Sequence, residues 1–186
     1  MTRSPLLDIK ETFHAIGDGF EYGIRSIQKS DKQKLIDLFN HLSPENRYLR
    51  FAHAISELPE EYLEDILELD YQKEMALVAF IKPDTEDEEI IGIARYVCQG
   101  DTLVCEFSLT VSDAYTSHGV GTTLMHHLIE YAQIQGLVEM VGYILNNNHS
   151  MLHLMKDLGF EANKFLEDTE FKKVTLDLQK AAQSKT

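Results

Sequence analysis

The sequence predicts an α+β protein, an α/β sandwich in which helices flank a central sheet of about seven strands. Three observations carry that expectation. Apolar spacing switches repeatedly along the chain between the period of 2 that marks strands and the period of 3.6 that marks helices. The 186 residues, 44 % of them apolar, suffice for one sizeable core and need no second domain. The stretch CEFSLTVSDAYTSHGVGTTLMHHLIEYAQIQG, Cys105 to Gly136, runs from an alternating strand through a glycine-containing loop into a long amphipathic helix.

Residues 1–19 show no sustained period and are expected to form an N-terminal arm. Phe20 to Ile27 alternates as a strand, and Ser30 or Asp31 then caps a helix through Leu42 with Leu35, Ile36, Leu38 and Phe39 on its buried stripe. Ser43 and Pro44 start a second helix as N-cap and first residue. A third follows from Pro59 to Leu69, and the window Glu57 to Asp70 holds seven acids and no Lys or Arg. Such a face is either a solvated surface or the acidic rim of a groove for an amine. Glu74–Ile81 and Ile90–Val97 read as a hairpin across a charged turn, and Gln99-Gly100-Asp101 leads into a strand from Thr102 to Val111. After the long helix come a strand over Val138–Leu145, a helix over Asn148–Leu158 closed by Gly159, and strands over Phe160–Leu166 and Phe171–Leu178. Residues 20–178 thus form the domain and 179–186 a frayed tail.

The net charge of −14 excludes a nucleic-acid surface, which needs a basic stripe that is missing here. With no 18-residue apolar run and no signal-peptide core in MTRSPLLDIKETF, a soluble, cytoplasmic chain without membrane partners is expected. In that compartment Cys98 and Cys105 should flank a hairpin as reduced thiols. The pairs His149/His153 and His126/His127 complete no metal-ligand pattern, and no metal is expected.

Gly119 and Gly121 remove side-chain bulk where the chain enters its longest helix, so first-turn N–H groups and the positive dipole end can approach an anion. A Walker loop would place Lys after its second glycine, where Thr122 stands, and a dinucleotide loop would need a third glycine. The spacing Val111-x-Asp113-x-x-Thr116-x-x-Gly119-x-Gly121-x-x-Leu124 instead resembles the pyrophosphate loop of GNAT-superfamily N-acetyltransferases, with Thr116 where Gln or Arg is usual. Leu42–Phe51 (LSPENRYLRF), Leu69-Asp70-Tyr71 with Glu74–Val78, and Gly92–Tyr96 (GIARY) are similar to the acetyltransferase domain of bacterial Pat-type protein lysine acetyltransferases. The resemblance covers Phe20 to Leu178 and implies a mixed, mostly antiparallel sheet, acetyl-CoA as acyl donor with coenzyme A as product, and an amine acceptor. The cyclic-nucleotide-binding or synthetase-like domain often fused to such domains is not expected within the 19 residues before Phe20.

Acetyl transfer needs a deprotonated amine, a polarised carbonyl and a thiolate that can leave. A lysine ammonium titrates near ~10.4, so about one in a thousand is nucleophilic at neutral pH. Glu106 is the candidate base: it interrupts the apolar run Leu103, Val104, Cys105, Phe107, and the resemblance places a catalytic glutamate there. Desolvation beside Phe107 and Cys105 would strengthen it as a base, whereas a solvent-facing edge position would leave it an ordinary surface acid. By the same resemblance the Leu109 N–H meets the acetyl oxygen, and Leu109, Thr110 and Val111 follow the pantetheine. The pyrophosphate falls to Thr116, Ser117, His118, Gly119, Val120, Gly121 and Thr122, with hydroxyl help from Thr122 and Thr123, and coenzyme A bonds Asn148. Asn148 is equally a plain helix N-cap. Many GNAT enzymes carry a Tyr acid where Met155 stands, so no general acid is assigned; Tyr143 and Ser150 are the other hydroxyls to consider.

The acceptor implied is a protein lysine. A small cationic amine such as a polyamine, read from the acidic helix, and a non-catalytic acyl-CoA sensor are the alternatives. A homodimer through a sheet edge is the assembly such a fold permits.

Overall fold

In the computed structural model the described residues are 10–16, 19–163 and 170–183. Among these residues eight strands form one open sheet in the order β1-β2-β3-β4-β5-β6-β8-β7, antiparallel throughout except for the parallel pair β5 and β6. They are β1 (Thr12–Ala15), β2 (Glu21–Ser26), β3 (Glu74–Ile81), β4 (Glu89–Cys98), β5 (Val104–Val111), β6 (Glu139–Leu145), β7 (Glu161–Ala162) and β8 (Phe171–Asp177).

The eighth strand is β1, which lies inside the stretch read from sequence as an arm. Four residues are too few to show a period, and β1 is fixed by pairing with β2, Thr12 opposite Ile24. β5 begins at Val104 because the Thr102 hydroxyl turns back to the Gln99 carbonyl (2.7 Å) and Gly100 takes φ +62°. The chain after β8 is a short helix, α6 (Leu178–Gln183), whose first N–H groups from Gln179 and Lys180 are received by Asp177 at 3.0 Å. The strand expected from Phe160 to Leu166 is seen as β7, and its later part lies outside the described residues, as do 1–9 and 184–186.

Helices cover both faces. On one, α1 (Lys32–His41) and α3 (Glu60–Leu67) press Leu35, Leu38, Leu63 and Ile66 onto Ala76, Val78, Ile90 and Ile93. On the other, α4 (Val120–Ile134) and α5 (His149–Asp157) bury Leu124, Met125, Leu128 and Met155 against Leu77, Ala94, Cys105 and Met140. β3 and β4 are therefore buried on both sides and read as nearly continuous apolar runs. Cys98 and Cys105 face each other across β4 and β5 as free thiols, and burial pushes Cys105 up to about 12. Among the described residues no helix is long and apolar enough to cross a membrane.

One buried ionic cluster anchors the edge of the first layer. Asp31, fully buried, receives both guanidinium nitrogens of Arg25 (2.7 and 2.9 Å) and the Gln28 N–H (2.8 Å), while Arg25 also reaches Glu88 at 3.0 Å. The expected cap residue Asp31 thus stands at the N-cap position of α1, but its carboxylate serves Arg25 and the Gln28 N–H rather than the helix N–H groups.

Candidate active site

The site follows from a failure of pairing. β5 and β6 bond in parallel only over Val104/Glu139, Cys105/Met140 and Glu106/Val141, and beyond that point they diverge. Phe107 sets the fork: its ring lies over Gly142 so closely that a Cβ there would sit 2.3 Å from it. Main-chain groups of Ser108 to Val111 that would have bonded β6 are left facing a cleft of about 500 Å³.

Five elements wall this cleft. β5 supplies Glu106 to Val111, α2 (Pro44–Phe51) supplies Asn46, Leu49, Arg50 and Phe51, the start of α4 supplies Gly119, Gly121 and Thr122, and β6 with α5 supplies Tyr143, Asn148 and Ser150. Asp113 ties α2 to the loop before α4 by accepting from the Ser43 N–H (2.9 Å) and the Asn46 amide. Partial burial would raise its carboxyl, but the bonds from Asn46 and Ser43 win and hold it below the usual carboxylate range.

A 3-10 turn over Asp113–His118 delivers Gly119 in the left-handed region, φ +70°, as the N-cap of α4. No side chain caps that end and no acid stands in its first turn, so the dipole and the N–H groups of Gly121 and Thr122 remain unneutralised toward the cleft. A Cβ at Gly121 would come within 3.4 Å of both Leu109 and Val111, so its absence keeps helix and strand at close approach. This cradle fits a pyrophosphate, and the unpaired strand beside it fits an amide-bearing arm.

The structure gathers Glu106, Leu109, Thr110, Val111, Thr116, Gly119, Gly121, Thr122 and Asn148 around one cleft. Three other loop residues turn elsewhere. Val120 is fully buried, Ser117 is exposed outside the cleft, and the His118 ring stacks toward Phe20 (4.7 Å) and Tyr115 (6.0 Å). The Thr123 hydroxyl is engaged inward, receiving Tyr22 at 2.8 Å and donating to the Gly119 carbonyl at 3.1 Å. Asn148 does cap α5, its Oδ1 receiving the Met151 N–H at 3.2 Å, which leaves its amide nitrogen without a partner among the described residues.

Glu106 departs from the expectation of a half-buried acid. Strand alternation sends Cys105 and Phe107 into the α4 layer and Glu106 to the opposite face, where it is exposed at the mouth of the fork. Met155 is wholly buried, so α5 offers no acid at that position. The acids of α3 also stand away from the cleft: Glu60 and Glu68 pair with Lys32 and Lys29 of the α1 region.

Residues 35–160 match the model of the acetyltransferase (GNAT) family. The chain belongs to that family. It is 32 % identical over 155 residues, 83 % of both chains, to acetyltransferase PA5475 of Pseudomonas aeruginosa. It is 26 % identical over 137 residues to acetyltransferase Pat of Mycolicibacterium smegmatis, covering 73 % of this chain and 40 % of that one. The fold matches the crystal structure of the GNAT domain of S. lividans PAT with a TM-score of 0.80 at 22 % identity, over 90 % of this chain and 96 % of that one. The protein is an acetyl-CoA-dependent acetyltransferase with the mixed sheet of that family, bearing eight strands rather than about seven.

Proposed function

We propose that the protein moves the acetyl group of acetyl-CoA onto a protein lysine, with Glu106 as general base. The observation that carries this reading is the exposed Glu106 at the fork of β5 and β6, on the face of the sheet open to an incoming acceptor. The resemblance of LSPENRYLRF and GIARY to Pat-type domains, and the likeness to Pat, support lysine as the acceptor. The acidic helix that spoke for a polyamine adds nothing to the cleft.

The N–H groups of Gly119, Gly121 and Thr122, which line the cleft, would hold the pyrophosphate, Asn148 would reach coenzyme A through its amide nitrogen, and Leu109 to Val111 would meet the pantetheine through their main chain. The bound thioester supplies an activated acyl group. Glu106 takes the proton of the ammonium directly or through one water, and the lone pair so freed attacks the carbonyl carbon. The Leu109 N–H stabilises the oxygen as charge develops. The carbon–sulfur bond then breaks, and the second proton of the attacking nitrogen passes through water to the departing thiolate, thiols titrating near ~8.5, while Glu106 returns the first to solvent. The enzyme is cytoplasmic in this reading, and the edge of β1, unpaired among the described residues, is the surface through which a homodimer would pair.

Thiol release from acetyl-CoA against lysine-containing proteins and polyamines tests the assignment. Turnover with proteins and acetyl-lysine in the product is the expected result; turnover confined to polyamines would sink the lysine acceptor.

A further inference from the structure

Arg50 is the one cation lining the cleft among the described residues, and Glu106 is the one anion. Of the other described arginines, Arg25 takes two carboxylates, Arg95 takes Glu74, and Arg47, outside the cleft, is held by the main-chain carbonyls of Asn40 and Ser56. Arg50 takes none among the described residues. Its Nε donates to the Thr110 hydroxyl at 3.1 Å and one terminal nitrogen to the Tyr62 hydroxyl at 3.4 Å. Its plane lies over the Phe51 ring at 4.9 Å and near Tyr62 at 6.0 Å. The side chain is half-buried, so neutral hydroxyls and rings orient the charge without neutralising it.

Its position gives that charge a use. Thr110 follows Leu109, whose N–H is assigned to the carbonyl, and shares the Glu106 face of β5, since residues two and four apart lie on one side of a strand. The remaining Arg50 donors therefore stand on the acceptor side of the reaction centre, one residue from the oxyanion contact. A partly desolvated guanidinium with free donors in a fixed fork is a carboxylate receptor.

We propose that Arg50 selects acceptors that carry a carboxylate beside the reacting amine. Resting on the acetyltransferase reading, this names its substrate class: a lysine flanked by Asp or Glu, or a free amino acid presenting its α-carboxylate. The same pairing places positive Arg50 and negative Glu106 at the two ends of a zwitterionic acceptor, and it disfavours polyamines, which offer cations only.

The test uses matched probes: the peptides Gly-Lys-Asp-Gly and Gly-Lys-Asn-Gly with blocked ends, and free lysine against lysinamide. Each is titrated by calorimetry into the parent, Arg50→Gln and Arg50→Lys in the presence of coenzyme A, and each is assayed for turnover. The parent should favour the acid of one pair by about tenfold or more, as expected for a charge-assisted bond. Arg50→Lys should keep part of that preference and Arg50→Gln should bring the ratio to about one. The pair that discriminates identifies the source of the carboxylate. An unchanged ratio in Arg50→Gln overturns the proposal, and so does a loss of acetyl-CoA affinity in that variant matching the loss of acceptor affinity, which would make Arg50 a cofactor contact. A binding preference without turnover of any probe would support Arg50 while counting against lysine transfer, so the two ideas fail separately.

Discussion

Replacing Gly142 by Ala attacks the fork on which the site depends. The new Cβ would stand 2.3, 2.5 and 3.0 Å from three carbons of the Phe107 ring, where ordinary contact needs 3.4 Å or more. The ring cannot simply swing away, because it is buried and packed against Phe160 with centroids 5.2 Å apart. Overpacking of this kind costs about 1–3 kcal/mol. Phe107→Ala alone should cost about 3–5 kcal/mol through the cavity it leaves. In the double variant the methyl enters that cavity, so Gly142→Ala should add almost nothing and the coupling should recover about 1–3 kcal/mol. Urea unfolding of the four proteins gives the cycle, and acetyl-CoA calorimetry on Gly142→Ala should show weakened binding as the strands are forced apart. If the two substitutions are additive, or if Gly142→Ala is neutral, Phe107 does not set the divergence of β5 from β6.

Two further predictions concern stability. Asp31→Ala strips the buried Arg25 of its bidentate partner and the Gln28 N–H of its acceptor, and should cost about 3–5 kcal/mol, toward the lower end because Glu88 still meets Arg25. A loss under about 1 kcal/mol in urea titration would contradict it. The second concerns His14 on β1 and His127 on α4, whose Nε2 atoms lie 3.4 Å apart. Burial lowers both below their usual range, His14 further lowers His127, and His126 adds to this while Glu130 opposes it. Their folded values being depressed, the unfolded chain takes up protons first, so stability is full above about pH 6.5 and falls as pH drops below it. His127→Asn should flatten that fall, seen as a smaller drop in urea midpoint between pH 7.5 and 5.5; superimposable profiles would exclude the pair as its source.

Much of this was legible in the sequence, and the misses have physical causes. The strand Phe20–Ile27, the α4 stripe and the Ser43-Pro44 start were readable because each is a local pattern; Ser43 indeed receives the Asn46 N–H at 3.2 Å. The environment of Glu106 was misjudged from its neighbours in sequence, although the period of 2 already assigns Cys105 and Phe107 to the other face. The acids of α3 were visible, but their partners Lys29 and Lys32 belong to an earlier segment. The ring of Phe107 against Gly142, the clasp of Asp113 on Asn46 and the contact of Arg50 with Thr110 join positions far apart in the chain. No periodicity reports such contacts. Leu42–Phe51 carries two arginines, Arg47 and Arg50, and nothing in the local pattern tells them apart; only the fold places Arg50, without a carboxylate partner among the described residues, in the cleft.

The proposed transfer depends on Glu106 taking the proton of the acceptor amine. Comparing parent and Glu106→Gln in single turnovers with acetyl-CoA and an acceptor protein, with acetyl-CoA affinity measured alongside, tests it most directly. Affinity should be unchanged and the rate should fall by about 10²–10⁴, the usual worth of a general base. A variant that transfers acetyl as fast as the parent would contradict the claim and return Glu106 to an ordinary surface acid.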